Sequence, residues 1–346
     1  VNALIEKLRA GTDLPPNDIR YAITMLLADK VADETKAEFL TALQEKGESA
    51  EEIYGFVEDL MQRAVDPEIE TANLPGPMID VCGTGGDGLD FFNVSTTIMF
   101  ILAAGGAVVV KHGNRSVTSR SGSADVLESL GIRIQLEPHQ LREVLQRHGV
   151  GFVFARKYHP AFRAIAQMRE KLARENKRSV FSLLGPLLNP ARPPHQLIGV
   201  YAPQLTGTFA EVLRRLGRKR AWIVHGLAEG TNGMDDVSIC GATTVAELEE
   251  DKISSAILDT QWLGLERCPL EELRGGTPDE NAATIVGILS GEIKGAKREM
   301  TIANAAAGFV VAGIVSEMRH GIEFAREQID SGRALEKLQA LQNFSG

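Results

Sequence analysis

Four short apolar runs, Met78–Cys82, Ala107–Val110, Gly151–Phe154 and Ala221–Val224, are separated by stretches with helical spacing, notably Ser95–Ala104, Ser123–Leu130 and Pro138–His148. Strands that alternate with helices settle as a mostly parallel central sheet with helices over its faces. The pattern starts abruptly. Asn73–Pro77 carries two prolines and a glycine and reads as a hinge or linker. Before it, residues 1 to about 65 read as helix alone. Ile19, Ile23, Leu26 and Leu27 recur at helical spacing after Pro15, Pro16 and a candidate cap, Asn17. Phe39, Leu40 and Leu43 mark a second helix that stops near Gly47. Ser49 with Glu52 is a capping box that opens a third, with Ile53, Phe56, Val57, Leu60 and Met61 as its buried stripe. Three short amphipathic helices bury little apolar surface alone, so this part is expected to pack on something later in the chain.

Further along, residues 160–178 read as a strongly basic helix with Arg163, Arg169, Lys171, Arg174, Lys177 and Arg178. Pro186, Pro190, Pro193 and Pro194 make 182–195 a crossing segment, and Thr301 to Leu341 reads as two helices, the first rich in alanine. A length of 346 residues fits two domains, or one large domain with a helical appendage. The net charge of −9 argues against a surface made for nucleic acid, which needs clustered Lys and Arg. The three cysteines, Cys82, Cys240 and Cys268, are far apart in sequence and form no CxxC pair, so zinc and redox motifs are not expected. A reducing compartment fits that usage. With no apolar run approaching 18 residues and no leader-like start, the expected location is the cytoplasm.

The chemistry concentrates at two strand ends. Asp80-Val81-Cys82-Gly83-Thr84-Gly85-Gly86-Asp87-Gly88 leaves the first strand, and Asn93-Val94-Ser95-Thr96-Thr97 opens a helix. Glycines free the backbone to turn its N–H groups onto an anion, and a helix N-terminus with hydroxyls adds more donors. A glycine-rich loop alone is equally explained as a tight turn. The next strand, however, runs into Lys111-His112-Gly113-Asn114-Arg115 and then Ser116 to Asp125, with three cations and five hydroxyls in fifteen residues. As a bland alternative, Ser121 or Ser123 would merely cap the helix at 125. Lys111 and His112 abut a buried strand and would be costly to bury without a partner, and a polyanion supplies one. Asp235-Asp236, after Gly233-Met234, is often simple turn chemistry. Beside phosphate loops it suits Mg²⁺, which takes oxygen ligands and is shared with phosphates.

These residues resemble the anthranilate phosphoribosyltransferase family. The likeness is carried by Gly83-Thr84-Gly85-Gly86-Asp87, Asn93-Val94-Ser95-Thr96, Lys111-His112-Gly113-Asn114-Arg115, Gly122-Ser123-Ala124-Asp125, Phe181 with Leu183 to Leu187, Asn189-Pro190, and Asn304-Ala305-Ala306-Ala307. The resemblance spans essentially the whole chain. It implies a small N-terminal helical domain (1–73 with about 162–190) and a larger α/β domain (74–161 and 191–346) with a mostly parallel sheet. It implies a homodimer through the helical part. The implied reaction moves a ribosyl 5-phosphate from phosphoribosyl pyrophosphate to the amine of anthranilate, releasing pyrophosphate. By motif, Gly83, Gly86, Asp87, Asn93, Ser95, Thr96, Lys111 and Ser119 would hold the donor. Ser95, Asp235 and Asp236 would bind Mg²⁺, and Gly83, Asn114, His159 and Arg169 would line the anthranilate path. The Arg169 guanidinium suits the anthranilate carboxylate. His112 reads as structural support.

The chain departs from the family pattern in places. Asp235-Asp236 stands where Asp-Glu is usual, Ser182 replaces Asn after Phe181, and Phe91 stands where Thr is common. The stretches 169–178 and 225–234 look a few residues long. All but Phe91 fall near the acceptor or the metal. Rival readings are transfer to another aromatic amine, a pyrimidine nucleoside phosphorylase, and a non-catalytic nucleic-acid-binding relative. The acidic pair and intact Gly85-Gly86-Asp87 oppose the second, and the charge of −9 opposes the third.

Overall fold

The computed structural model describes residues 1–116, 120–166, 168, 171–172, 175 and 177–344. Four helices open the chain: α1 (Asn2–Arg9), α2 (Pro16–Leu27), α3 (Asp33–Lys46) and α4 (Ala50–Met61). The sequence reading separated only three. α1 is two turns long and shows just Leu4, Ile5 and Leu8 as its buried face. Asn17 is not the cap of α2. Pro15 holds the extended cap position and Pro16 opens the helix, where a missing N–H costs nothing.

The capping box of α4 is formed. Ser49 Oγ accepts from the Glu52 N–H at 3.3 Å, and Glu52 Oε2 accepts from the Ser49 N–H at 2.9 Å. The Glu52 carboxylate is fully buried, yet it also takes the Leu14 N–H at 2.9 Å and Lys46 Nζ at 2.8 Å. A buried charge is tolerable when it is this well satisfied. Ser49→Ala should therefore lower stability by about 1 kcal/mol in denaturant titration, with activity unchanged.

Seven strands form one sheet in the order β3-β2-β1-β4-β5-β6-β7. They are β1 (Met78–Gly83), β2 (Val108–Gly113), β3 (Val150–Phe154), β4 (His195–Gly199), β5 (Arg220–Gly226), β6 (Thr243–Glu249) and β7 (Lys252–Leu258). The first five are parallel, and β6 and β7 run antiparallel at one edge. Three strands escaped the sequence reading. β4 follows two prolines and carries Gln196, which is buried but donates to the Pro186 carbonyl and accepts from Arg218. β6 and β7 meet at Glu250-Asp251, both at positive φ, where Asn-Gly would have signalled the hairpin.

Chain order runs outward from β1 to β2 and β3, then jumps back across β1 to β4. Between β1 and β4 lies a topological switch point, where open sheets of this type leave a crevice at their strand ends. Helix α5 (Val94–Ala104), which follows the glycine-rich loop, is buried along almost its whole length. Helices α6 (Ser123–Ser129) and α7 (Pro138–His148) complete the crossovers to β3. Neither Ser121 nor Ser123 caps α6. Asp125 Oδ2 instead accepts from the N–H groups of Ser116 and Gly122, both at 3.0 Å.

The N-terminal helices do pack on later parts of the chain. Their apolar faces join Ile165, Met168, Leu172, the stretch Val180–Leu188 and the helix Leu205–Arg215 in one core against β4, β5 and β6. A second core lies around α5 and the C-terminal helices. That C-terminal part holds three helices rather than two, Ala296–Val311, Met318–Asp330 and Arg333–Gln342, with Gly332 at φ +79° breaking the last pair. The expected basic helix over 160–178 begins as a 3-10 turn, Pro160–Ile165. No described helix is long and apolar enough to cross a membrane.

Candidate active site

The switch point places two glycines side by side. Gly83 ends β1 and Gly199 ends β4, and they are partners in the strand register. Asp235 packs against both. A Cβ on Gly199 would lie 1.5 Å from the Asp235 carbonyl oxygen, and one on Gly83 would lie 2.3 Å from Asp235 Oδ2. The same Oδ2 accepts from the Gly85 N–H at 2.6 Å. A carboxylate thus sits directly under the glycine-rich loop, in a space only glycines leave open.

The loop has left-handed backbone at Gly85, Gly86 and Gly88, which L side chains rarely adopt. It is pinned from two sides. The Thr84 N–H donates to the Gly199 carbonyl at 2.9 Å, and the Tyr201 N–H donates to Thr84 Oγ1 at 3.1 Å. Arg178 donates to the Gly86 carbonyl at 2.6 Å and stacks over the Tyr201 ring at 3.9 Å. Asp87 turns back to accept from the Leu89 N–H.

Lys111 on β2 reaches into the same crevice. It is only 2% exposed, and its Nζ donates to the Val81 carbonyl at 2.6 Å and to Ser95 Oγ at 3.0 Å. Burial pulls its pKa below the usual lysine value, while Cys82, Asp80, Asp236 and Asp235 pull it back up. Asn93 precedes α5 and is fixed by three contacts. Its Oδ1 accepts from Ser121 Oγ at 3.2 Å and Asn281 Nδ2 at 2.9 Å, and its Nδ2 donates to the Ser121 carbonyl. Thr96 is fully buried, and its hydroxyl oxygen has no partner among the described residues. Ser119 lies outside the described residues.

Asp235 and Asp236 are half-buried at the surface, but protein atoms rather than water surround their carboxyl groups. Loss of hydration, then the neighbouring Asp87 charge, pushes Asp235 up to about 7. Asp236 is held well above the usual carboxylate range by burial and by Asp235 and Asp87. Three carboxylates crowded around the field of a single ammonium, Lys111, form an oxygen-only donor set of the type hard cations take. Among the described residues they do not close into a ready metal cage.

On the other side of Lys111 two imidazoles meet. His112 and His159 stand edge to face with centroids 5.5 Å apart, and His159 stacks on Phe162. Burial, and then the neighbouring His159, takes His112 down to about 3, and burial lowers His159 against its bond to the Leu188 carbonyl, so both are neutral at pH 7. His112 Nδ1 lies 3.0 Å from the Gly185 carbonyl and therefore carries the proton. Its Nε2 is a buried lone pair with no partner among the described residues. His159 Nε2 donates to the Leu188 carbonyl at 2.6 Å, so packing already occupies that nitrogen. Asn114 sits in the turn after β2, where its Oδ1 accepts from the Arg115 N–H and its carbonyl accepts from the Ala124 N–H. Arg115 is tied to Asp125 and Glu128 and is not free for a ligand. Arg169 lies outside the described residues.

Sequence reasoning assigned no role to several residues that build this site. Asp80 is fully buried inside β1, accepts from the His112 N–H at 3.1 Å and receives Asn189 Nδ2 at 2.9 Å. Asn189 also donates to the Val110 carbonyl, so one side chain ties β1, β2 and the crossing segment together. A carboxylate within an apolar strand was the available signal. Asn304 pairs with both backbone groups of Val237 and so anchors the residue after the acidic pair. Arg178, Asn281 and Gly199 carried no local signal, because their partners lie tens of residues or more away.

Comparison with known proteins agrees with this architecture. Residues 2–64 match the helical bundle domain of the glycosyl transferase family, and residues 75–335 match its a/b domain. The chain is therefore built as a glycosyl transferase of this two-part class. Anthranilate phosphoribosyltransferase of Petrotoga mobilis is 42% identical over 344 residues, covering 99% of this chain and 96% of the relative. That of Haloferax volcanii is 42% identical over 338 residues, with 98% of each chain covered. Among solved structures, the Thermus thermophilus anthranilate phosphoribosyltransferase superposes with TM-score 0.87 at 37% identity, covering 99% of this chain and 98% of that one. The Saccharomyces cerevisiae enzyme in complex with PRPP and Mg superposes with TM-score 0.86 at 27% identity, covering 99% and 96%. The chain belongs to the anthranilate phosphoribosyltransferase family.

Proposed function

We propose that the chain transfers the 5-phosphoribosyl group of phosphoribosyl pyrophosphate to the amino group of anthranilate, giving N-(5-phosphoribosyl)anthranilate and pyrophosphate. The observation that carries this is Asp235 seated on Gly83 and Gly199 beneath an open glycine-rich loop, in the field of Lys111. Such a site neutralises a polyphosphate with loop amides, one buried ammonium and a cation held by carboxylates.

Gly83, Gly86, Asp87, Asn93, Ser95, Thr96, Lys111 and Ser119 hold the donor in this reading. Ser95, Asp235 and Asp236 hold Mg²⁺, with Asp87 beside them. When bound, Mg²⁺ supplies charge neutralisation for the pyrophosphate oxygens. Lys111 stays clamped between Val81 and Ser95, so its charge is in place before the C1–O bond weakens and needs no reorganisation. Arg178 pins the loop through the Gly86 carbonyl. Anthranilate carries a weakly basic amine, so orientation supplies most of the rate. Gly83, Asn114, His159 and Arg169 line its path, and the lone pair at His112 Nε2 can accept a hydrogen bond from an N–H or O–H group.

The reading includes a helical unit of 1–73 with about 162–190, an α/β unit of 74–161 and 191–346, a homodimer through the helical unit and a cytoplasmic location. Sedimentation at micromolar concentration should give twice the chain mass. The crowded carboxylates also fix a pH dependence. A cation must displace the proton held up to about pH 7 at Asp235, and that held at the raised Asp236, so Mg²⁺ affinity should rise by at least about tenfold per unit between roughly pH 6 and 7. Flat affinity across that range, measured by calorimetry, would remove the carboxylates from the metal site.

The direct test mixes protein, phosphoribosyl pyrophosphate, Mg²⁺ and anthranilate and follows anthranilate fluorescence. Fluorescence should fall only when all components are present. No loss with anthranilate, with pyrophosphate released only for other amines, would move the acceptor assignment to another aromatic amine.

A further inference from the structure

We infer that Cys240 and Cys268 form a reversible disulfide site behind the carboxylate loop, oxidised by a small-molecule disulfide such as oxidised glutathione. The inference rests on the fold and does not depend on the proposed reaction. The two cysteines are 28 positions apart, yet their sulfur atoms stand 3.6 Å from each other. The spacing of the cysteines in sequence, with no CxxC motif, gives no sign of this proximity. Both are free thiols and half-buried, so a small disulfide can reach them.

Their backbones are held in place on both sides. Ser238 Oγ accepts from the N–H groups of Cys240 at 2.9 Å and Gly241 at 3.1 Å, and it donates to the Leu227 carbonyl. Thr260 Oγ1 donates to the Ser238 carbonyl, and the Cys268 N–H donates to the Ile239 carbonyl at 3.3 Å. Side-chain rotation alone must close the sulfurs to the bond length of about 2 Å. A metal is the competing use of paired thiols. Two sulfurs fill only half of a tetrahedral zinc shell, and among the described residues no metal-holding group of three His, Cys, Asp or Glu exists.

The two thiols share one contact in which either sulfur can donate, so exchange can start at either one. One sulfur of the pair attacks one sulfur of RSSR, the S–S bond breaks, and RS⁻ leaves and takes up that thiol's proton as RSH. The second sulfur then attacks the first in the mixed disulfide, and the second RS⁻ leaves with the remaining thiol proton. Two protein thiols are oxidised and one RSSR is reduced to two RSH.

The bond would join two segments that frame the proposed donor site. Cys240 follows the acidic loop, and Cys268 begins the stretch in which Leu273 and Gly275 hydrogen-bond to Phe92 and Asp90 after the glycine-rich loop. The test uses the full chain, incubated with reduced or oxidised glutathione, acid-quenched, alkylated in denaturant and weighed by mass spectrometry. Three alkylated cysteines are expected from the reduced sample. From the oxidised sample only Cys82 should be alkylated, with a Cys240–Cys268 cross-linked peptide that dithiothreitol reverses. The oxidised chain should also melt about 3–6 °C higher. C268S and C240S should instead each carry one glutathione on the cysteine of the pair that remains. Three alkylated cysteines after oxidation, a cross-link through Cys82, or a lasting glutathione adduct on the unsubstituted chain would overturn the inference.

Discussion

Gly199→Ala should lower kcat/KM for phosphoribosyl pyrophosphate by about a hundredfold or more. The new Cβ would stand 1.5 Å from the Asp235 carbonyl oxygen, 2.2 Å from its carbonyl carbon and 2.9 Å from its Cα. All three are backbone atoms, so no rotamer change relieves the contact. The acidic loop must retreat by an ångström or more, and misplacement on that scale costs about two orders of magnitude in rate. The strand itself tolerates alanine, so the stability loss should stay near 1–3 kcal/mol, as for other overpacked sites. Gly207→Ala is the control. It lies in the helix Leu205–Arg215 with nothing within 4 Å of the added carbon, and should leave kinetics unchanged and stability equal or slightly higher. Equal activity of Gly199→Ala and the parent chain would show that Asp235 need not sit where the two glycines hold it.

Asp235→Asn should lower kcat/KM by roughly 10²–10³-fold, the scale of removing one electrostatic contact made to the reacting groups. Stability of the metal-free variant should move the other way. In the folded chain Asp235 keeps its proton up to about pH 7, against an ordinary value of 3.8. The folded state therefore binds more protons than the unfolded chain between about pH 4 and 7, and metal-free stability falls as pH rises through that window. Above it, the buried charge is carried in full. Asparagine carries none and can still accept from the Gly85 N–H, so at pH 8 without Mg²⁺ the variant should melt higher than the parent, and at pH 4 the difference should vanish. Added Mg²⁺ should raise the melting point of the parent only. A variant that loses activity and also melts lower at pH 8 would mean the carboxylate is a structural anion, satisfied by the loop alone.

Much of the fold was legible because periodicity is local. β1, β2, β3 and β5 and helices α5 to α7 lie where the apolar runs place them, since each run meets the sheet or a helix face directly. The Ser49–Glu52 box was readable because both partners are three residues apart. β4 was lost because its Gln196 is polar yet buried, a state that only the distant Pro186 and Arg218 make tolerable. The β6–β7 hairpin was lost because Glu250 and Asp251 adopt a conformation their side chains do not advertise.

The site divides in the same way. The glycine-rich loop, Asn93, Ser95 and Lys111 stand on consecutive elements, and their chemistry showed in the sequence; the structure brings Lys111 onto Ser95. What the sequence could not show is closure. Gly199 meets Asp235, Arg178 meets Gly86, Asn281 meets Asn93, and Cys240 meets Cys268, all through folding rather than spacing. Asp80 was visible as a charge in an apolar strand, but its task of holding β2 and Asn189 belongs to the packed state.

Calorimetric binding of phosphoribosyl pyrophosphate to the parent chain and to Asp235→Asn, each with and without Mg²⁺, tests the donor site most directly. The parent should bind the donor in Mg²⁺ and lose at least about tenfold in affinity without it, whereas Asp235→Asn should bind weakly in both conditions. Donor binding that is equally tight without Mg²⁺, and undiminished in Asp235→Asn, would contradict the site built on Gly83, Gly199 and Asp235.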